Sequence, residues 1–410
     1  MTGMSPWVAY ALDWANLLLR WAHVVVAIAW IGSSFYFVWL DNSLTPPEDQ
    51  GLRDKGVGGE LWAVHGGGFY NPHKYLGAPK AVPAHLHWFY WESYSTWLTG
   101  FSLFTVLYLL NAGTFLIDKS LHEWGPMAAV ATALGLLAGF WLIYDLVCRT
   151  LGKGAKGNLI VGAVVFAAVV LASWLACQWF AGRAAFLLVG AMMATAMSAN
   201  VFFWIIPGQR KVVAAIQAGQ PVDPVHGLRG KQRSVHNTYF GLPVLFAMLS
   251  NHYGWAYSHA HNWLVLVLMM LGGALLRHFF VARHKTAVAG QGAPWGWALA
   301  GVAVLAGVAV WLGPWGAAGS AAGDAAVRPM TQQERFVRVQ AIVQQRCVMC
   351  HNATLANKGV ALHTPELIEQ HALRIHQQAV VLKNMPMNNA TGMTEEERGV
   401  LGGWFEGMGK

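Results

Sequence analysis

Cys347-Val348-Met349-Cys350-His351 carries the most specific chemistry in this chain. C-x-x-C-H is the attachment sequence of a c-type haem: each thiol forms a thioether to one vinyl group, and the following His ligates the iron from one face. The sixth ligand should be a soft, uncharged donor that raises the reduction potential, usually Met. Met385, followed by Pro386 and 34 residues beyond His351, stands first; Met387 is second and Met393 third. A zinc half-site is the plainer reading of Cys347, Cys350 and His351, but no second Cys/His pair at zinc-ligand spacing follows.

A second set of residues draws notice because it sits in apolar surroundings. Arg20 and His23, then His85, His87 and Glu92, then His236-Asn237 and Asn251-His252, then Arg277-His278 interrupt or border long hydrophobic runs. Ionisable groups there are expensive and default to functional candidates. A lone His near a helix end is more often an interfacial or hydrogen-bonded residue. The stretch Gly66-Gly67-Gly68-Phe69-Tyr70 through Lys74-Tyr75 adds glycines that would let backbone amides approach a ligand, and aromatics that would stack on a flat ring. Its plainer reading is an ordinary interfacial loop.

The elements that must position these residues follow from composition. The 410-residue chain is 55% hydrophobic and 11% charged, with 21 Trp. Soluble domains are nearer a quarter charged, so this is an all-α, polytopic membrane protein. Eight stretches are long enough to span the ~30 Å hydrocarbon core: 14–40, 90–112, 125–149, 157–180, 184–207, 236–256, 262–283 and 295–316. Cations gather in alternate loops, in 41–89 (Arg53, Lys55, Lys74, Lys80), 150–156, 208–235 and the turn after helix seven, whereas the opposite loops hold only Lys119 and Arg183. The positive-inside rule then puts both termini outside the cytoplasm. The formal charge of +8 therefore needs no nucleic acid. Cys148 and Cys177 lie in apolar runs as small buried hydrophobes, and the first apolar run lacks the features of a cleavable signal peptide. The expected organisation is a transmembrane domain over 1–317, a flexible linker over 318–331 and a C-terminal cytochrome c domain over 332–410. In that last domain 332–346 reads as a helix, and Thr394 with Glu397 forms a capping box for a final one.

This orientation, reached without the haem motif, places that motif in the periplasm of a bacterial inner membrane, where haem c is attached. It also sorts the polar residues. His23 and His252 fall in an outer layer, while His85, His87, Glu92, His236, Asn237, Arg277 and His278 fall towards the cytoplasm. Oxidation at the inner layer would need a carrier across the ~30 Å core; a b-type haem held by His23 and His252 would serve. The alternative is a substrate site in the outer layer, near haem c.

These residues resemble the bacterial membrane-bound, cytochrome-c-linked urate oxidases, also called urate hydroxylases. The resemblance covers essentially the whole chain. It is carried by Gly66 through Tyr75, His87-Trp88-Phe89-Tyr90-Trp91-Glu92-Ser93-Tyr94, His236-Asn237-Thr238-Tyr239 through Ser250-Asn251-His252-Tyr253, and the haem motif. The pattern around His23, Trp30 and Gly32 is also similar to copper-resistance D proteins and a haem-binding protoporphyrinogen oxidase, which makes a bound b haem an expected inheritance. The resemblance implies oxidation of urate towards 5-hydroxyisourate, with electrons leaving through the cytochrome domain to a downstream cytochrome or terminal oxidase. Urate must lose a second proton to become an electron-rich dianion; Glu92 and His87 are our choice of base. Lys74, Arg277 and Asn237 are the expected holders of the ring oxyanions, and Phe69 or Tyr70 the stacking partner. An ion pair with a neighbouring cation is the alternative role for Glu92. Two competing functions remain: a quinol-oxidising cytochrome subunit, and a copper-handling protein with a fused cytochrome. The latter would need Met/His ladders, whereas Met192-Met193 and Met269-Met270 read as core filler.

Overall fold

The computed structural model describes residues 6–119, 121–154, 156–313, 331–353, 356, 359–389 and 391–408. The chain is mostly helical, and a helix stands at each of the eight expected places. These are α1 (Pro6–Ser43), α3 (Trp91–Phe104), α5 (Pro126–Thr150), α6 (Gly157–Trp179), α7 (Gly182–Ala199), α9 (Pro224–Leu249), α11 (Asn262–Val288) and α12 (Trp295–Trp311). Among the described residues five helical segments are long and apolar enough to cross a membrane: Tyr10–Ser43, Pro126–Thr150, Gly157–Trp179, Gly182–Gln217 and Asn262–Val288. α12 is apolar but only 17 residues long. The other two depart from expectation for visible reasons. α3 continues through a π-helical turn, Thr105–Leu109, and breaks before the short α4 (Ala112–Phe115). α9 begins twelve residues earlier than position 236, because Asp223 caps it and Pro224 starts it, and its first half carries Arg229, Lys231 and Arg233.

α7 runs through a π-helical turn, Asn200–Ile205, into α8 (Ile206–Gln217), and forms the centre of the bundle. Its Ala184, Phe186, Leu188, Val189, Met192 and Ala196 are fully enclosed, with Phe180, Val265 and Leu266 beside them. The outside is the reverse of a soluble protein: Ile28 is 66% exposed and Leu159 74%. We call upper the end that carries residues 116–125, 180–182 and 250–261, and lower the opposite end.

The 41–89 segment, expected as a loop, carries regular structure. It holds α2 (Gln50–Asp54) and two antiparallel pairs, β1 (Val57–Glu60) with β4 (His73–Tyr75), and β2 (Ala63–His65) with β3 (Gly68–Tyr70). Gly66 and Gly67, at φ 60° and 80°, form the two-residue turn between β2 and β3. A hairpin turn with positive φ at both central residues is what selects glycine there.

The C-terminal unit is helical, with its own core of Val339, Ile342, Val343, Leu362, Ile368, Leu401 and Trp404. α13 (Gln332–Arg346) falls where expected, and α16 (Glu395–Gly407) begins at the expected Thr394–Glu397 capping box. The two helices pack together through a Phe336–Trp404 stack at 5.5 Å, and Arg335 donates to the Gly403 carbonyl at 2.8 Å. Between them lie α14 (Pro365–Gln370) and α15 (Ala372–Ile375), which continues in a π-helical turn, His376–Val381. Of the expected linker, 318–330 lies outside the described residues.

Candidate functional site

α1 and α3 run antiparallel, tied near one end by His23 and near the other by a Phe37–Phe89 ring contact at 4.8 Å. The His23 Nδ1 lies 3.1 Å from the Thr96 carbonyl and 3.1 Å from Thr99 Oγ1. A carbonyl only accepts, so Nδ1 carries the proton and Nε2 keeps its lone pair. This approach depends on Gly100, where a Cβ would stand 2.7 Å from the imidazole. Glu92 lies in the first turn of α3. Arg277 of α11 lays its guanidinium over Phe35 of α1, 3.7 Å from the ring centroid. Gly241 of α9 closes the edge of the same ring.

Two charged residues keep polar atoms that have no partner among the described residues. Arg277 is 5% exposed, and neither its Nε nor its Nη2 has a hydrogen-bond partner. Glu92 Oε2 is likewise buried and unpartnered. The ion pair that would have given Glu92 a merely structural role is absent among the described residues. An unpaired buried charge costs several kcal/mol, and stacking on Phe35 returns about 2 kcal/mol of it when desolvated. An unsatisfied buried acceptor costs a further ~1–3 kcal/mol. An anion would satisfy Arg277 and an N–H donor would satisfy Glu92.

The other expected substrate ligands are not gathered there. Phe69 and Tyr70 lie exposed on the β2–β3 hairpin. Lys74 on β4 is ion-paired to Asp41 at the foot of α1. Burial, and then the charge of Lys231, hold its ammonium below the usual lysine range. His87 is exposed and packs edge-on against Phe89 at 4.5 Å. Asn237 is buried with its amide engaged at both ends, accepting from Asn200 at 2.8 Å and donating to the Met197 carbonyl at 3.0 Å. That amide belongs to a network the sequence reading missed. Asn200 also donates to Tyr144 Oη (2.9 Å), which bonds His236 Nδ1 (2.9 Å), while Arg233 reaches Asn200 (3.3 Å) and Asp145 (2.7 Å). Asp145 inside an apolar run was the available signal; the π-helical turn that aims Asn200 inward left none. The network borders an apolar cavity of about 310 Å³ lined by Val161, Val165, Met193, His236, Tyr239 and Met270. A second, more polar cleft of about 370 Å³ at the lower end is lined by His85, Trp88, Arg210 and Gln217.

In the C-terminal unit, the amides of Cys350 and His351 both bond back to the Cys347 carbonyl, making a tight turn. Neither thiol is in a disulfide. The His351 Nδ1 donates to the Val360 carbonyl at 3.0 Å. This fixes the tautomer that leaves Nε2 free for a metal, the usual orienting device of a ligating histidine. Met385 and Met387 are half-buried, and Met393 is enclosed in the core. Arg398, itself buried, donates to the carbonyls of Met385 (2.8 Å) and Ala379, so the Met385 backbone is held from within. These residues suit a covalently attached haem. The b-haem pair is less complete. His23 has a free Nε2, but His252 lies exposed on the Ser250–His252 turn, and no hydrogen bond or ring contact joins the two among the described residues.

The fold defines a mostly helical protein with several helices long and apolar enough to cross a membrane and a C-terminal unit with its own core. Residues 9–313 match the profile of the Urate oxidase N-terminal family, and the chain belongs to that family. No curated protein and no solved structure matches it.

Proposed function

We propose that this chain is a membrane-embedded urate-oxidising enzyme that uses Glu92 and Arg277 and exports electrons through its C-terminal unit. The observation that carries the reading is that both residues keep buried polar atoms without a partner among the described residues, in a member of a urate oxidase family. Arg277 holds a urate oxyanion by charge-assisted hydrogen bonds through Nε and Nη2. Glu92 Oε2 accepts the ring proton whose loss makes urate electron-rich. Water then adds, so that urate and water give 5-hydroxyisourate, two protons and two electrons.

Cys347, Cys350, His351 and Met385 would hold a haem c. When bound, that group supplies a one-electron acceptor outside the membrane, ahead of a downstream cytochrome or terminal oxidase. The exposed apolar surfaces of α1, α6 and α12 support embedding in a lipid bilayer, and the loop charges support a periplasmic C-terminal unit.

The test is anaerobic addition of urate to purified holoprotein, with reduction of the C-terminal haem followed in its visible bands. Glu92→Gln should slow urate turnover at least ~100-fold, the lower range for a lost general base. Near-normal turnover would remove Glu92 from the mechanism. The quinol-oxidising alternative is favoured by one feature, the apolar cavity beside His236. It predicts haem reduction by quinol and none by urate.

A further inference from the structure

The C-terminal unit meets the upper end of the bundle at a defined place. Tyr257, at the end of α10 (Gly254–Tyr257), donates to Asn384 Oδ1 at 2.7 Å. Asn384 and the Leu382 carbonyl lie directly over Gly254, leaving no room for a side chain there while Asn384 keeps its place. Beside them, α4 lies against the Met387–Asn389 turn. Asp118, just beyond α4, is within electrostatic reach of Arg398.

Both sides of this contact are rigid. Asn262 donates to the Tyr257 carbonyl (2.9 Å), and that carbonyl fills the space over Gly182 of α7. The Tyr257 ring meets Phe186 in the bundle core at 6.4 Å. On the other side Asn384 bonds Gln378 (3.2 Å), the Met385 amide bonds the Gln378 carbonyl (2.9 Å), and Arg398 grips the Met385 carbonyl. The segment pressed onto the bundle is therefore the one that bears Met385.

We propose that the C-terminal unit is held docked on α4 and α10 through its 382–389 segment, and that electrons reach it across this contact and not by swinging of a tethered domain. The electron-transfer half rests on the urate-oxidising reading; the docked position does not. Gly254 and Tyr257 are positioning residues for that transfer.

The test is a paired substitution, Gly254→Cys with Asn384→Cys, in full-length holoprotein. Asn384 Cγ lies 2.8 Å from where a Gly254 Cβ would stand, which suits a disulfide between the two positions. Mild oxidation should give a disulfide-linked peptide pair by mass spectrometry in most molecules. The locked protein should reduce its haem with urate as fast as the unlocked one. A missing cross-link would overturn the docked position. A cross-linked protein that stops transferring electrons, and recovers when the disulfide is reduced, would show that the unit must move. Should urate fail to reduce the unsubstituted protein, the urate reading falls while the cross-link still reports on docking. A Gly254→Leu variant should slow haem reduction several-fold by prying the contact open, with the C-terminal unit's own far-UV spectrum unchanged.

Discussion

A buried arginine without a carboxylate is a large local cost, and Arg277 bears it in the middle of a helix bundle. Structural charges are paired where they are buried, as Arg233 is with Asp145. Arg277→Met should therefore leave thermal stability equal or raise it, since removing an unpaired buried charge relieves desolvation. The same change should abolish urate turnover. A fall of more than ~2 kcal/mol in stability, with turnover retained, would make Arg277 structural. At the other end of the chain, Met385 and Met387 are told apart by potential. Met385→Ala should lower the haem reduction potential, because a Met ligand raises it, while Met387→Ala leaves it in place. Redox titration of both variants decides between them.

α16 is fixed at its start by Thr394 and Glu397, and Arg346 of α13 bonds the same carboxylate at 3.0–3.2 Å. Burial alone would raise the Glu397 pKa. The Thr394 amide and the Arg346 guanidinium outweigh that and hold it below the ordinary 4.5. A depressed pKa contributes stability above the unfolded value and loses it as pH falls through the folded value. The α13–α16 pair should thus weaken only below about pH 4.5. Acid titration by circular dichroism should show a shallower loss in Glu397→Gln across that range. The β2–β3 hairpin teaches the converse. Its three glycines looked like a ligand cradle, and turn geometry explains two of them without any ligand.

For the whole molecule, cations cluster in the lower loops and the C-terminal unit sits at the upper end. In intact cells a membrane-impermeant thiol reagent should label a cysteine placed at Gly399 of α16 and spare one placed at Gly154 of the 150–156 loop. Labelling at Gly154 with Gly399 spared would reverse the topology and with it the proposed direction of electron flow.

Helix positions and apolar character were legible from the residues alone, because each depends on neighbours within a turn or two, as was the C-x-x-C-H spacing on which the haem proposal rests. Hydropathy over about 20 residues and a five-residue motif carry their meaning locally. Glu92 and Arg277 were also legible, as charges in apolar runs. Phe35 beneath the guanidinium was not, nor were the Asn200–Tyr144–His236 network or the seat of Asn384 on Gly254. Each of those joins residues tens to more than a hundred positions apart. Only helix packing decides which of several equally polar side chains finds a partner and which does not.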